Sequence, residues 1–169
     1  MATFEAQVEG LTGISIESSA TSPNQSELNE FIKKGVFCTV NRISNLRPDE
    51  ALKFTKSEPI PSSGITLKGK IIGIVRYHDG GVRLATQIPA QLRDDVADVD
   101  SFKYRGPYNP AYYILDNKIY VLPTPGTGGA IVTQLDYDTT VDCTADSTLD
   151  NFPDEYIHLI VFYSSALTC

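Results

Sequence analysis

No catalytic signature occurs in this sequence. There is no GxSxG, no HExxH, and no glycine loop running from a strand into a helix to hold phosphate. Histidine occurs twice, as His78 and His158, and cysteine three times, as Cys38, Cys143 and Cys169, with no CxxC spacing. A zinc site needs a recognisable ligand set that these residues do not supply, so no metal and no organic cofactor is expected. The three cysteines read as free thiols of a protein made in a reducing compartment. No apolar run approaches a membrane span, and the opening MATFEAQVEG has acids where a secretory signal has bases. Positive charge is also scarce: 14 Lys and Arg face 21 Asp and Glu, for a formal net charge of -7. That balance argues against a module that grips DNA by neutralising phosphates. It is compatible with an acidic surface past which DNA slides without sticking.

What is present is an ordinary globular composition, 41% hydrophobic and 21% charged over 169 residues, enough for one domain with a real core. The organising stretch is residues 108–132. Asn109-Pro110 breaks whatever precedes it, and two β-branched and aromatic runs follow, Ala111–Leu115 and Lys118–Leu122. Asp116-Asn117 between them tolerates the left-handed backbone of a tight hairpin. Pro123, Pro125, Gly126, Gly128 and Gly129 then release the chain into residues 130–137, read as a third strand of the same unit. Gly126-Thr127-Gly128-Gly129 resembles a phosphate loop in composition only and reads as a turn.

Around this stretch the chain reads as follows. Residues 1–24, rich in Gly, Ser, Thr and Glu, form an extended N-terminal arm, either mobile or laid along a neighbouring subunit. A helix spans residues 26–44, with Ser26 as N-cap and Leu28, Phe31, Ile32, Val36, Val40 and Ile43 at helical spacing; Gly35 is its weak point. Residues 49–55 form a second short helix, ended by Pro59 and Pro61. The β unit covers about residues 65–137. Its first hairpin pairs residues 70–77 with 82–88 across Asp79-Gly80-Gly81, and Val82, Leu84, Thr86 and Ile88 alternate as on a half-buried strand. Residues 89–96 make a short surface helix, and residues 101–105 a short strand. Asp94, Asp95, Asp98 and Asp100 lack the order of a calcium loop and read as a solvated face. Residues 139–149 are a polar linker. A last helix spans residues 153–168, capped by Asn151 or Asp150, with Pro153 in its first turn.

The expected fold is α+β: N- and C-terminal helices packed together, with an inserted antiparallel β unit of hairpins, residues 25–169 forming a single domain. The last helix is apolar almost all round and must be buried, most simply against the first. It carries no stop signal before Cys169, so either it ends against a partner or the sequence is a clipped form of a longer chain. Too much apolar surface for one helix partner makes Tyr156, Ile157, Ile160, Val161, Tyr163 and Leu167 subunit-interface candidates, joined by Tyr112 and Tyr120 of the hairpin. Two other groupings compete. Lys103-Tyr104-Arg105, with Tyr108, is the only local mixture of cations and aromatics, and it reads as a hairpin-flanking loop sooner than a base-stacking platform. A small hydrolase using His78 with Asp94 or Asp98 would need those groups to converge. His158 reads as a packing residue on its helix.

Several phrases together resemble a family of virion proteins of tailed bacteriophages, the head-to-tail adaptor, neck or connector proteins. The phrases are the opening ATFEAQVEGLTGISI before an amphipathic helix, VRLATQIP before an acidic stretch, NPAYY, KIYVLP, and FPDEY before an apolar helix. Family members usually continue past that last helix, whereas this chain stops at Cys169. The resemblance implies a non-enzymatic, architectural role in the virion, after assembly in the host cytoplasm. Homo-oligomeric rings of this kind, usually about twelve copies, sit beneath the portal protein, meet tail or neck proteins and let double-stranded DNA pass, with no membrane involved. Another virion component, such as a tail terminator, baseplate or head-decoration protein, is the alternative.

Overall fold

A computed structural model describes residues 2–19, 23–126, 129–137 and 139–169. The fold is α+β, and the chain divides into two compact units, Met1–Phe54 with Tyr137–Cys169, and Thr55–Asp136. The expected single domain is therefore two bodies, one helical and discontinuous, the other a β unit inserted into it.

The helical unit contains α1 (Phe4–Thr12), α2 (Gln25–Leu46), α3 (Pro48–Ala51) and α5 (Ile157–Thr168). The supposed extended arm is largely α1. Thr3 caps it, accepting from the Ala6 N–H, and Gly13 closes it in the left-handed conformation at φ 70°. Phe4 and Val8, four apart, are both fully buried, and that apolar pair fixes the helix to the unit. The cap of α2 is Asn24, two residues before the expected Ser26. Its side chain accepts from Glu27 N–H while the Glu27 carboxylate accepts from Asn24 N–H, each at 3.0 Å, a reciprocal capping box. Leu28, Ile32, Gly35, Val36, Thr39 and Val40 make the buried stripe of α2. α5 lies against both α1 and α2. The polar linker at residues 139–149 is stitched to this unit: Phe4 N–H donates to the Asp146 carbonyl, Glu5 N–H to that of Cys143, and Cys143 N–H to Asn29 Oδ1.

In the β unit, two four-stranded sheets form. One has the order β1 (Thr55–Pro59), β8 (Ala130–Leu135), β3 (Ile71–His78), β4 (Gly81–Leu84). The other has β2 (Ile65–Thr66), β7 (Lys118–Leu122), β6 (Ala111–Leu115), β5 (Thr86–Gln87). Ile74 and Val132 from the first sheet and Ile119 and Val121 from the second share one buried cluster with Ile60, Ala85 and Ala130. Both hairpin turns are two residues long with positive φ at each position, Asp79 and Gly80 in one, Asp116 and Asn117 in the other, the mirror-type turn that matches strand twist.

The second helix is shorter than expected, α3 and a 3₁₀ turn over Leu52–Phe54, and the β unit begins at Thr55; Pro59 ends an edge strand, where a missing N–H is tolerated, and stops no helix. β8 does not join the hairpin β6–β7 but runs between β1 and β3. Residues 82–88 are two strands, not one. Ala85, buried beside Ile74, is the point where the chain leaves the first sheet, and Thr86–Gln87 pairs in parallel with β6. Val82 and Leu84, read as the inward face, are exposed. Residues 101–105 form turns and no strand. In the glycine turn, Gly129 N–H donates to the Gly126 carbonyl at 2.9 Å; Thr127 and Gly128 lie outside the described residues.

Candidate docking surface

The apolar helix α5 is built from two unlike faces. Its start is set by Pro153, followed by the 3₁₀ turn Asp154–Tyr156; neither Asn151 nor Asp150 caps the helix, which begins at Ile157 with no side-chain cap. The inner face carries Ile157, Ile160, Val161, Ser164, Ser165 and Thr168, all buried. Small residues let it approach closely. Ser165 Oγ donates to the Val161 carbonyl and Thr168 Oγ1 to that of Ser164, so these hydroxyls satisfy themselves within the helix. On the opposing helix Gly35 removes a side chain altogether: a Cβ there would lie 3.2 Å from Ile160 Cγ2. Gly35, read as a weak point of α2, is where α5 seats.

The outer face of α5 is uncovered. Leu159 is 40% exposed and Phe162 57%, with Leu167 and Ala166 beside them. Clefts flank it on both sides. One, about 590 Å³, lies against α2 between Leu159, Tyr163, Ile43, Arg42 and Cys38. The other, about 350 Å³, lies against α1 between Phe162, His158, Leu11 and Gly10. An apolar helix face between two apolar clefts is the arrangement that marks a protein contact surface.

This geometry re-sorts the interface candidates. Ile157, Ile160 and Val161 are buried in the helical unit, Val161 at the floor of the cleft against α1, and the same spacing turns Leu159 and Phe162, members of the same apolar run that were not among the candidates, outward. The signal was there in the small and hydroxyl residues at 164, 165 and 168, which mark the tightly packed face. Leu167 is exposed. Tyr163 is half-buried in the first cleft, its hydroxyl accepting from the Cys38 thiol at 3.4 Å. Tyr156 is a strut: its hydroxyl donates to Glu50 Oε2 at 2.8 Å and its ring packs on Phe54. Lys53 bridges Glu50 and Glu155, both at 2.6 Å, and its hydrogen bonds, chiefly that to Glu155, raise its pKa; Lys53 in turn holds Glu50 below the usual carboxylate range.

In the β unit, Tyr112 and Tyr120 serve their own fold. Tyr112 packs on the shared core, and burial pushes its phenol up. Tyr120 stacks on Tyr113, its cross-strand partner, at 5.2 Å and covers Gly64, where a Cβ would meet its ring at 2.7 Å. The hydrolase grouping is not assembled. His78 Nε2 lies 3.4 Å from Asp79, its chain neighbour, with Tyr108 edge-on at 4.9 Å; Tyr108 donates to the same carboxylate, which raises the Tyr108 pKa. Asp94 pairs with Arg93, and Asp98 accepts from the Asp100 N–H. His158 is exposed on α5, edge-on to Phe162. Lys103 is tied to Asp95 at 2.9 Å. Among the described residues, no group of three or more His, Cys, Asp and Glu side chains gathers to hold a metal ion, and no helix is long and apolar enough to cross a membrane.

Two features had no warning in the sequence. Arg76 on β3 is only 8% exposed, with Nε and Nη1 buried and unpartnered, and burial lowers its pKa. Phe102, between α4 (Arg93–Ala97) and β6, is fully exposed. Compared with protein-family models and with curated proteins, the chain matches none.

Proposed function

We propose that this chain is a non-enzymatic assembly subunit of a tailed-phage virion, a neck adaptor that self-associates into a ring joining portal to tail. The observation that carries the reading is the outer face of α5, where Leu159, Phe162 and Leu167 stand exposed on a helix whose other side is already packed. Apolar surface removed from water is worth about 25 cal/mol per Å², so a second molecule on this face lowers the free energy of both. A closed ring needs two different patches on each copy, and the two compact units supply unlike surfaces. The net charge of -7 suits a wall past which DNA moves without adhering. The resemblance noted above supplies the phage context, the portal and tail partners and the ring geometry.

The test is sedimentation velocity of the purified chain over a wide concentration range, with images of virions made with and without it. The expected result is a closed oligomer, and filled heads without tails when Phe162→Asp replaces the wild type. A chain that stays monomeric at high concentration, in virions that join heads to tails without it, removes the proposal.

A further inference from the structure

The α2–α5 cleft and the Phe102 loop are complementary, and neither is used within its own unit. The loop is a fastened platform, not a slack tether. Ser101 N–H donates to the Asp98 carbonyl, Tyr104 N–H to that of Ser101, and Arg105 N–H to that of Val96, all between 3.0 and 3.1 Å. The Lys103–Asp95 ion pair ties it back to α4. On this platform Phe102 projects fully into solvent, with Val99 exposed beside it. Holding a large aromatic ring in water on an ordered turn is unfavourable unless a partner covers it.

The cleft has the matching chemistry. Its walls are the apolar parts of Ile43, Leu159 and Tyr163, and its volume of about 590 Å³ is ample for an aromatic ring. Charge completes the fit. Arg42 lines the cleft and is exposed, with no acidic partner among the described residues; Asp98 and Asp100 flank Phe102 with no basic partner among them.

We infer that Phe102 of one copy inserts into the α2–α5 cleft of the next, with Asp98 or Asp100 meeting Arg42. This rests on the ring-subunit reading and adds which patches meet. The contact is heterologous, since a patch of the β unit meets a different patch of the helical unit, and such contacts propagate head to tail until they close. An aromatic anchor in an apolar pocket rimmed by an ion pair is also the composition of an interface hot spot.

Cys38 lines the cleft and is a built-in reporter. The experiment uses the full chain carrying Val99→Cys, with Cys169→Ser to silence the other exposed thiol and Phe102 retained. Copper(II)–phenanthroline in air oxidises adjacent thiols to a disulfide. The expected result is a ladder of covalent dimers and higher oligomers, mapped by peptide analysis to a bond between positions 38 and 99, and abolished by Cys38→Ser. Phe102→Ala, at a position with no packing to lose, should weaken association about tenfold or more and suppress the ladder. Oligomers in the centrifuge without the 38–99 bond overturn this contact and leave the ring reading standing. A bond formed only within single chains also overturns it. Monomers at every concentration, with no ladder, remove both.

Discussion

Ile160 and Phe162 are two residues apart on α5 and should behave as opposites. Ile160 is 0% exposed and seats against Gly35. Truncating it to Ala removes buried methylenes and leaves a void, which costs about 2–5 kcal/mol in comparable cores. The upper half of that range is expected, because α2 already touches α5 by its backbone at Gly35 and has no side chain to swing into the gap. Phe162 is 57% exposed, so Phe162→Ala forfeits less than half of the roughly 1.5–3 kcal/mol that full burial is worth, on the order of 1 kcal/mol. Urea unfolding at a concentration where the chain is monomeric reads the difference: Ile160→Ala lowers the midpoint strongly with an unchanged slope, and Phe162→Ala barely moves it. Sedimentation reads the inverse. Phe162→Ala weakens self-association, and Ile160→Ala, wherever it is folded, keeps it. Equal destabilisation by both, with association untouched by Phe162→Ala, would refute the division of α5 into a core face and a docking face.

Three further outcomes follow from local geometry. Gly80 sits at φ 71° in the β3–β4 turn while Gly81 does not, so Gly80→Val should cost roughly 1–3 kcal/mol and Gly81→Val about 0.5 kcal/mol or less, compared by thermal melting. Arg76→Met should add about 1–3 kcal/mol of stability, read as a higher urea midpoint, since it removes a guanidinium whose Nε and Nη1 are buried without a partner and whose cross-strand neighbour is Arg83; a loss of stability would show that the charge is compensated in solution. A thiol reagent at pH 8 should label Cys38 and Cys169 quickly and leave Cys143 unmodified in the folded chain. Burial pushes Cys143 up to about 11, so its thiolate fraction is ~0.001 at that pH and grows tenfold per pH unit below that value; fast labelling of all three would contradict its burial.

Where a local rule and the tertiary environment agreed, the sequence was readable. Asp116-Asn117 and Asp79-Gly80 are residues that accept positive φ, and both turns formed where that chemistry pointed. The α2 stripe followed from its spacing. Where partners far along the chain decide, it was not. Nothing local says that β8 belongs between β1 and β3, or that Val82 and Leu84 face solvent while Ala85 turns inward, because both depend on which sheet each residue joins. The error at the N-terminus was different in kind. Thr3, the Phe4 and Val8 pair, and Gly13 are a cap, a face and a stop, and the Gly, Ser and Thr content around them hid it. Which face of α5 points outward was illegible for a related reason. A helix apolar all round has no polar side to mark which face is outside, so Ile160 and Phe162 looked alike until α1 and α2 were in place.

The insertion of the β unit has a consequence for the order in which this chain acquires structure. Thr55, its first residue, pairs with Leu135, near its last, and the ladder runs on through Pro59 opposite Ile131. The two ends of the insert are thus zipped together by its own strands. As the chain leaves the ribosome, α1 and α2 emerge without α5 and cannot bury their stripe, whereas every strand of the insert is out before α5 appears. The β unit is free to fold first. Once it does, the chain between α2 and α5 is no longer a long loop whose closure costs entropy that grows with its length. It is a short clasp whose two ends, Thr55 and Leu135, are already paired, so the two segments of the helical unit are joined by far less slack than their separation in sequence suggests.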